Sequence, residues 1–427
     1  MERPALSRVA QLRHTSPGRL QLLLGVLVAL GLLTGLLAGV TASSAASGTG
    51  DLGDRAQPLL VEAETIYSAL ADADTTAAQA FLAGGLEPAE LTRRYENDLN
   101  RATTALTSAA RRTPESGATA DAVSALSAGV ARYAGLVASA RANNRQGLPV
   151  GASYLSTAST LNRETLQPQA QALFRTARDE VDNGYSAARS TVWVVLLTLV
   201  TVALVAALLY TQRHLSRTTR RTFNVPLVAA TAVTAVLALG TVAVLARQHS
   251  HLRAAASDGS TPVALLAEAR ILALRERGDE ALTLAARGGG GAYETDFDAV
   301  SARLSGPNGL LAAAGRAVDG PARAAVRDAT AKHTAYLAAH AEVRKLDDAG
   351  DYERAVALAI GPETSTTFTG LTDDIGRALE SRKSAFEREI GEAGRGLGLL
   401  TVLGPLLGLV ICALAAIGIR ARLEEYR

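Results

Sequence analysis

The chain has a single cysteine, Cys412, among its 427 residues. No intrachain disulfide can form, and no cysteine-based metal site can assemble. Tryptophan occurs once, and Lys332, Lys345 and Lys383 are the only lysines. Aromatic residues make up just 4% of the chain. No dense basic patch is interleaved with them, which argues against a nucleic-acid interface. The net charge of +2 favours no class of partner.

Recognisable chemistry is also scarce. Gly288 to Gly291 is glycine-rich, but no strand precedes it and no Gly-Lys-Ser/Thr follows, so it reads as a hairpin loop and not a phosphate cradle. His333 and His340 lie seven apart and share a helix face, yet two histidines do not make a metal site, and a solvated or structural role is expected. His249 and His251 diverge around a helix. No catalytic residue, cofactor site or metal site emerges, and the chain reads as a non-enzyme.

What the sequence does have is four apolar blocks free of Asp, Glu, Lys and Arg: residues 20–41, 190–212, 225–246 and 397–419. Each is long enough to cross a hydrocarbon core of ~30 Å as a helix. Transporters usually keep an ionisable group at mid-membrane. Its absence, with Pro405 as the only helix breaker well inside a block, argues against a transporter or channel. The flanking charges suggest an orientation. The tail 1–19 carries Arg3, Arg8, Arg13 and Arg19, the loop 213–224 carries Arg213, Arg217, Arg220 and Arg221, and the tail 420–427 is also basic. Positive segments stay in the cytoplasm, so both termini are placed there, in a multi-pass protein of the cell membrane. Segments 42–189 and 247–396 then lie outside. Arg213, Arg217, Arg220 and Arg221 could also dock an acidic cytosolic partner or anionic lipid. Gly31, Gly35 and Gly39 are spaced four apart and fall on one helix face, and Gly404 and Gly408 offer a matching surface in the fourth block. Pro405 should kink that block.

The two outer segments echo each other. Tyr95-Glu96-Asn97-Asp98-Leu99 matches Tyr293-Glu294-Thr295-Asp296-Phe297, and Tyr133, Arg141 and Gly147 share the spacing of Tyr336, Arg344 and Gly350. This points to a tandem duplication. The apolar periodicity is helical throughout, as in Leu59, Ala63, Ile66, Leu70, Ala73 and Ala77. Breakers at Gly84-Gly85, Pro114 to Gly117 and Gly147 divide the first segment, and Gly288 to Gly291, Gly306-Pro307, Gly320-Pro321 and Gly350 divide the second. A bend is expected at Pro168. The expected fold is all-α: four transmembrane helices and two tandem extracytoplasmic four-helix bundles, their end helices continuous with the spans. Tyr95, Tyr133, Tyr293 and Tyr336 fall at expected core positions. Arg141 and Arg344 end the third helices, where they could grip an anion or a partner's carboxylate, or serve the hairpin itself.

Such a bundle resembles the four-helix-bundle sensor domains of bacterial chemoreceptors and histidine kinases; the Tyr133-Arg141-Gly147 and Tyr336-Arg344-Gly350 patterns carry the likeness. Unlike those receptors, this chain is expected to have no output domain after its fourth span. Its layout resembles the GlnX-type four-span membrane proteins of actinobacterial amino-acid sensing. That resemblance implies a solute-binding lipoprotein outside that detects glutamate or aspartate, and a cytosolic Ser/Thr kinase inside. The implied partners are thus the membrane, that lipoprotein, that kinase and a second copy of the chain. A structural scaffold, or an accessory subunit of an envelope or transporter complex, is the competing class.

Overall fold

The structure, a computed structural model, describes residues 16–84, 87–113, 116–189, 191–219 and 224–423. Every regular element among them is helical. In chain order these are α1 (Ser16–Asp51), α2 (Gln57–Leu82), α3 (Ala89–Arg112), α4 (Ala118–Arg145), α5 (Val150–Leu161), α6 (Gln167–Arg189) and α7 (Thr191–Thr219). The second half follows with α8 (Val225–Ala254), α9 (Thr261–Ala285), α10 (Gly291–Leu304), α11 (Leu310–Ala317), α12 (Gly320–Asp348), α13 (Tyr352–Ala359), α14 (Pro362–Gly394) and α15 (Leu397–Leu423). Three π-helical turns interrupt the series at Leu52–Ala56, Asn162–Leu166 and Ala255–Ser260. Each is followed within two residues by proline, at Pro58, Pro168 and Pro262. A proline at the second helical position lacks only an N–H that would have no partner there. The bend expected at Pro168 therefore coincides with a π turn, one of the few features that redirect a helix.

The chain divides into two compact units. One, here the apolar unit, comprises residues 1–52, 183–252 and 390–427. Leu27, Leu204, Leu208, Leu227, Leu237 and Ile411 pack inside it. Other large apolar side chains point outward: Val192, Val225, Leu239 and Leu399 are all more than half exposed. An apolar exterior of this extent suits lipid and is costly in water. Helices α1 and α15 pack along the glycine faces. A Cβ added at Gly35 would lie 2.8 Å from the Gly408 Cα and 3.0 Å from the Gly404 carbonyl oxygen. One added at Gly31 would meet the Cys412 Sγ at 2.9 Å, and one at Gly39 would meet the Pro405 ring at 3.0 Å. Only hydrogen side chains permit this approach. Pro405 lies inside the helix α15. The Gln248 amide donates to Thr49 Oγ1 and to the Ala188 carbonyl, both at 3.1 Å.

The other, the bundle unit, comprises residues 53–182 and 253–389. Where the sequence suggests two neighbouring bundles, both outer segments share this one compact unit. The reason lies in α2 and α9. Residues 68–78 of α2 and 276–284 of α9 are buried on every face, so each has neighbours all round and not along one seam. The expected stripe of Leu59, Ala63, Ile66, Leu70, Ala73 and Ala77 is buried, but so are Glu64, Ser68, Asp72, Asp74, Thr75 and Thr76 between its members. Around α9 the core gathers Phe297, Val300, Leu304, Tyr336, Phe368 and Leu371. Tyr336 and Phe368 meet edge to face with centroids 5.2 Å apart.

Candidate functional site

Alanine and glycine bring α2 and α9 together, and buried charge fills what they leave open. Thr75 Oγ1 donates to the Leu274 carbonyl at 2.9 Å, tying the two helices directly. Arg270 of α9 reaches Asp72 of α2 at 2.8 Å. Gly278 makes room for a second crossing, since a Cβ there would lie 2.6 Å from the Arg163 guanidinium.

Arg163, from the π turn before α6, passes through that gap. Its Nε donates to Asp74 at 3.1 Å and its Nη1 pairs with Asp279. Burial penalises the cation, but Asp74 and Asp279 outweigh that and hold Arg163 protonated more firmly than usual. Asp74 also accepts from Ser159 Oγ at 2.7 Å and from the Tyr133 hydroxyl at 3.4 Å. Asp72 gathers Arg101 at 3.4 Å and Arg94 at 3.9 Å besides Arg270. Beside it, Asp98 pairs with Arg101 at 3.3 Å. Burial, and next the neighbouring Asp72 carboxylate, push Asp98 up to about 7 against the pull of the arginines.

The second half builds a comparable network on α9. His333 Nε2 meets Glu276 at 2.9 Å, and His340 bridges Glu280 at 3.0 Å and Glu294 at 3.2 Å. Arg277 pairs with Glu280 and donates to the Ala359 carbonyl at 2.7 Å. Its guanidinium lies 5.8 Å from the Tyr336 ring centroid and 5.6 Å from that of Phe368. Burial lowers His340, yet its two glutamates prevail and its pKa is raised above the ordinary histidine value.

Arg141 and Arg344 occupy matching places near the ends of α4 and α12. Arg141 Nε donates to Glu87 at 2.6 Å and its Nη2 to Thr92 Oγ1 at 3.0 Å, with the guanidinium 5.4 Å from the Tyr95 ring centroid. Arg344 binds Asp347 at 2.5 Å, Asp348 at 2.8 Å and Glu294 at 3.4 Å. Carboxylates of the chain thus engage both arginines, and an outside anion would have to compete with them. Arg213 and Arg217 are exposed on α7, while Arg220 and Arg221 lie outside the described residues. Tyr95, Tyr133 and Tyr336 are buried and Tyr293 is half-buried. His333 and His340 are buried as well, against glutamates. Among the described residues, no three His, Cys, Asp or Glu side chains gather as a metal site.

Sequence reasoning passed over Asp72, Asp74, Arg163, Arg270, Arg277 and Asp279. One signal could have found Asp72, Asp74, Arg277 and Asp279: Ala-Asp-Ala-Asp at residues 71–74 and Arg-Glu-Arg-Gly-Asp-Glu at 275–280 both interrupt apolar helices.

Residues 48–186 match the family model described as the actinobacterial sensor domain. No curated protein and no solved structure matches the chain. The match, with several helices apolar enough to cross a membrane, supports a membrane sensor protein of actinobacterial type.

Proposed function

We propose that the chain is a four-span sensor and adaptor, with both termini in the cytoplasm. It detects a small ligand, or a solute-binding lipoprotein loaded with one, outside the cell. It relays that state to a cytosolic partner such as a Ser/Thr kinase, without catalysis of its own. Glutamate and aspartate are the ligands that the GlnX-type resemblance implies.

One observation carries this reading. In each half the buried helix of the bundle unit continues from an apolar helix through a π turn, in the helical runs Gly18–Leu82 and Val225–Ala285. The two helices so connected, α2 and α9, are the pair joined by the Asp72–Arg270 bridge and by Arg163, which binds both Asp74 of α2 and Asp279 of α9. A stimulus that favours one arrangement of that pair shifts the population towards it. Small helix displacements then pass along continuous helices to the apolar segments.

Five helical runs satisfy length and hydropathy for crossing a membrane. The fifth, Ala118–Arg145, is α4, whose buried residues Val123, Leu126, Val130, Tyr133, Val137 and Ala140 form one stripe, while Asp121, Arg132 and Arg145 lie off it. An amphipathic stripe of this kind belongs to a bundle, so the reading keeps four spans.

Two experiments test it. In a Cys412→Ser background, Gln146→Cys and Ala349→Cys should react with an impermeant thiol reagent on intact cells, and Ser216→Cys only after lysis. Labelling of Ser216→Cys on intact cells overturns the topology. In nanodiscs, glutamate, aspartate or a loaded lipoprotein should alter hydrogen exchange along α2 and α9. Exchange indifferent to all of them, together with kinase coupling that survives Arg213→Glu and Arg217→Glu, overturns the relay.

A further inference from the structure

A cavity of about 280 Å³ opens in the bundle unit between α2, α6 and α9. Helices α2 and α6 come from the first half of the chain and α9 from the second, so an occupant would touch both. Tyr67, Phe174 and Ile271 give the cavity apolar wall. Its charged lining is Glu64, Glu268, Arg175 and Arg178.

These four charges are not equally satisfied. Glu64 pairs with Lys383 at 2.7 Å, and Glu268 with Arg303 at 2.8 Å. Arg175 and Arg178 make no ion pair among the described residues, and both are exposed. They stand three apart on α6, so their guanidinium groups serve the same side of the helix. The carboxylates already have cations, while the arginines still need an anion. A cationic occupant would displace existing partners and gain little.

Glu64 adds a second, independent requirement. The residue is 2% exposed, and its Oε1 is buried without a hydrogen-bond partner. A buried carboxylate oxygen left unmet costs free energy that a donor group would recover. Lys383 serves the other oxygen. The cavity therefore has cationic forks on one helix and, buried in the wall formed by another, one acceptor without a donor.

We infer that this cavity binds a small organic anion, a carboxylate or a phosphate monoester, that also carries a hydrogen-bond donor. Arg175 and Arg178 take the anionic group, to which planar guanidinium forks are matched. Glu64 Oε1 accepts from the donor, and Tyr67 and Phe174 cover the carbon skeleton. The inference concerns binding and stands apart from the relay. Binding without any change in the relay would sink the sensing role alone, and a relay with no binding here would sink this inference alone.

The test uses the full chain in phosphatidylcholine nanodiscs, which add no anionic lipid. Malate and glycerol 3-phosphate supply an anion with a hydroxyl donor; succinate keeps the anion without the donor, and putrescine reverses the charge. Calorimetric titration should show binding of malate, glycerol 3-phosphate or both, weaker binding of succinate, and none of putrescine. The Arg175→Ala/Arg178→Ala double variant should bind about tenfold more weakly or worse. Both positions are exposed, so an unchanged unfolding profile will separate lost binding from lost fold. Glu64→Gln should narrow the preference for malate over succinate. Failure of malate, succinate and glycerol 3-phosphate all to bind overturns the inference. So does equal binding by the double arginine variant, or binding of putrescine in preference to the anions.

Discussion

Arg163 and Asp279 form an ion pair that joins the two halves of the chain, 116 positions apart in sequence and with both side chains at least nine-tenths buried. The same guanidinium holds Asp74, so one cation separates two buried carboxylates. Arg163→Met removes it and leaves both carboxylates without their shared cation, Asp74 keeping only its bonds from Ser159 and Tyr133. Such uncovered charge costs about 3–5 kcal/mol. Thermal or denaturant unfolding of the full chain in detergent should show a loss of that order, with Arg163→Lys restoring part. A wild-type midpoint for Arg163→Met would remove the bridge from any account of how the halves hold together.

Asp98 makes stability depend on pH. Its folded pKa of about 7 lies above its ordinary value of 3.8. Between these values the native state keeps a proton that the unfolded chain has released. Stability from this group is then complete below the unfolded value and falls as pH rises towards about 7. Asp98→Asn should flatten that part of the profile. An unfolding midpoint measured across the acidic range, with identical slopes for both proteins, would count against it.

His340 acts in the same direction by the opposite chemistry. Its raised folded pKa means that the native state prefers the imidazolium, held between Glu280 and Glu294. The contribution is full below the unfolded histidine value and is lost as pH rises through the folded one. His340→Gln keeps hydrogen bonding but cannot titrate, so stability should lose this component. Titration of the His340 ring by NMR provides the direct reading, and a midpoint below that of a free histidine would contradict the assignment.

In the apolar unit, Gly35→Leu should separate α1 from α15, because its first side-chain atom would already meet backbone at 2.8 Å. Overpacking of this kind costs about 1–3 kcal/mol. Gly25→Ala provides the control, since a Cβ there meets nothing within 4 Å. Unfolding in mixed micelles should separate the two variants clearly; equal midpoints would mean that the seam contributes little.

Much of this could be read in the chain, for identifiable reasons. The uncharged blocks, the helical period and the glycine breakers are local, and so are the elements they specify. The positive-φ glycines Gly84, Gly147, Gly288 and Gly350 sit at helix ends where breakers were read. The glycine spacing in α1 and α15 also showed, because small residues four apart make a face whatever covers it. Asp98 illustrates what did not show. On α3 the apolar Leu99 is only half-buried, while its polar neighbour Asp98 is buried. The face is rotated towards Asp72, Thr76 and Arg101, partners on the helix turn or on α2 that no local pattern reveals.

By itself, then, the sequence determined the helical class and the apolar blocks, since each depends on neighbours a few residues apart. The tertiary structure decided that both halves share one bundle unit, with residues 68–78 of α2 and 276–284 of α9 enclosed on all sides. It also decided which charges are buried. A helix can hold Asp72, Asp74, Glu276 and Asp279 in its interior-facing turns only if arginines or histidines from distant segments arrive to pair with them. Those arrivals span up to 198 residues, as from Asp72 to Arg270. Packing fixes them, and periodicity does not.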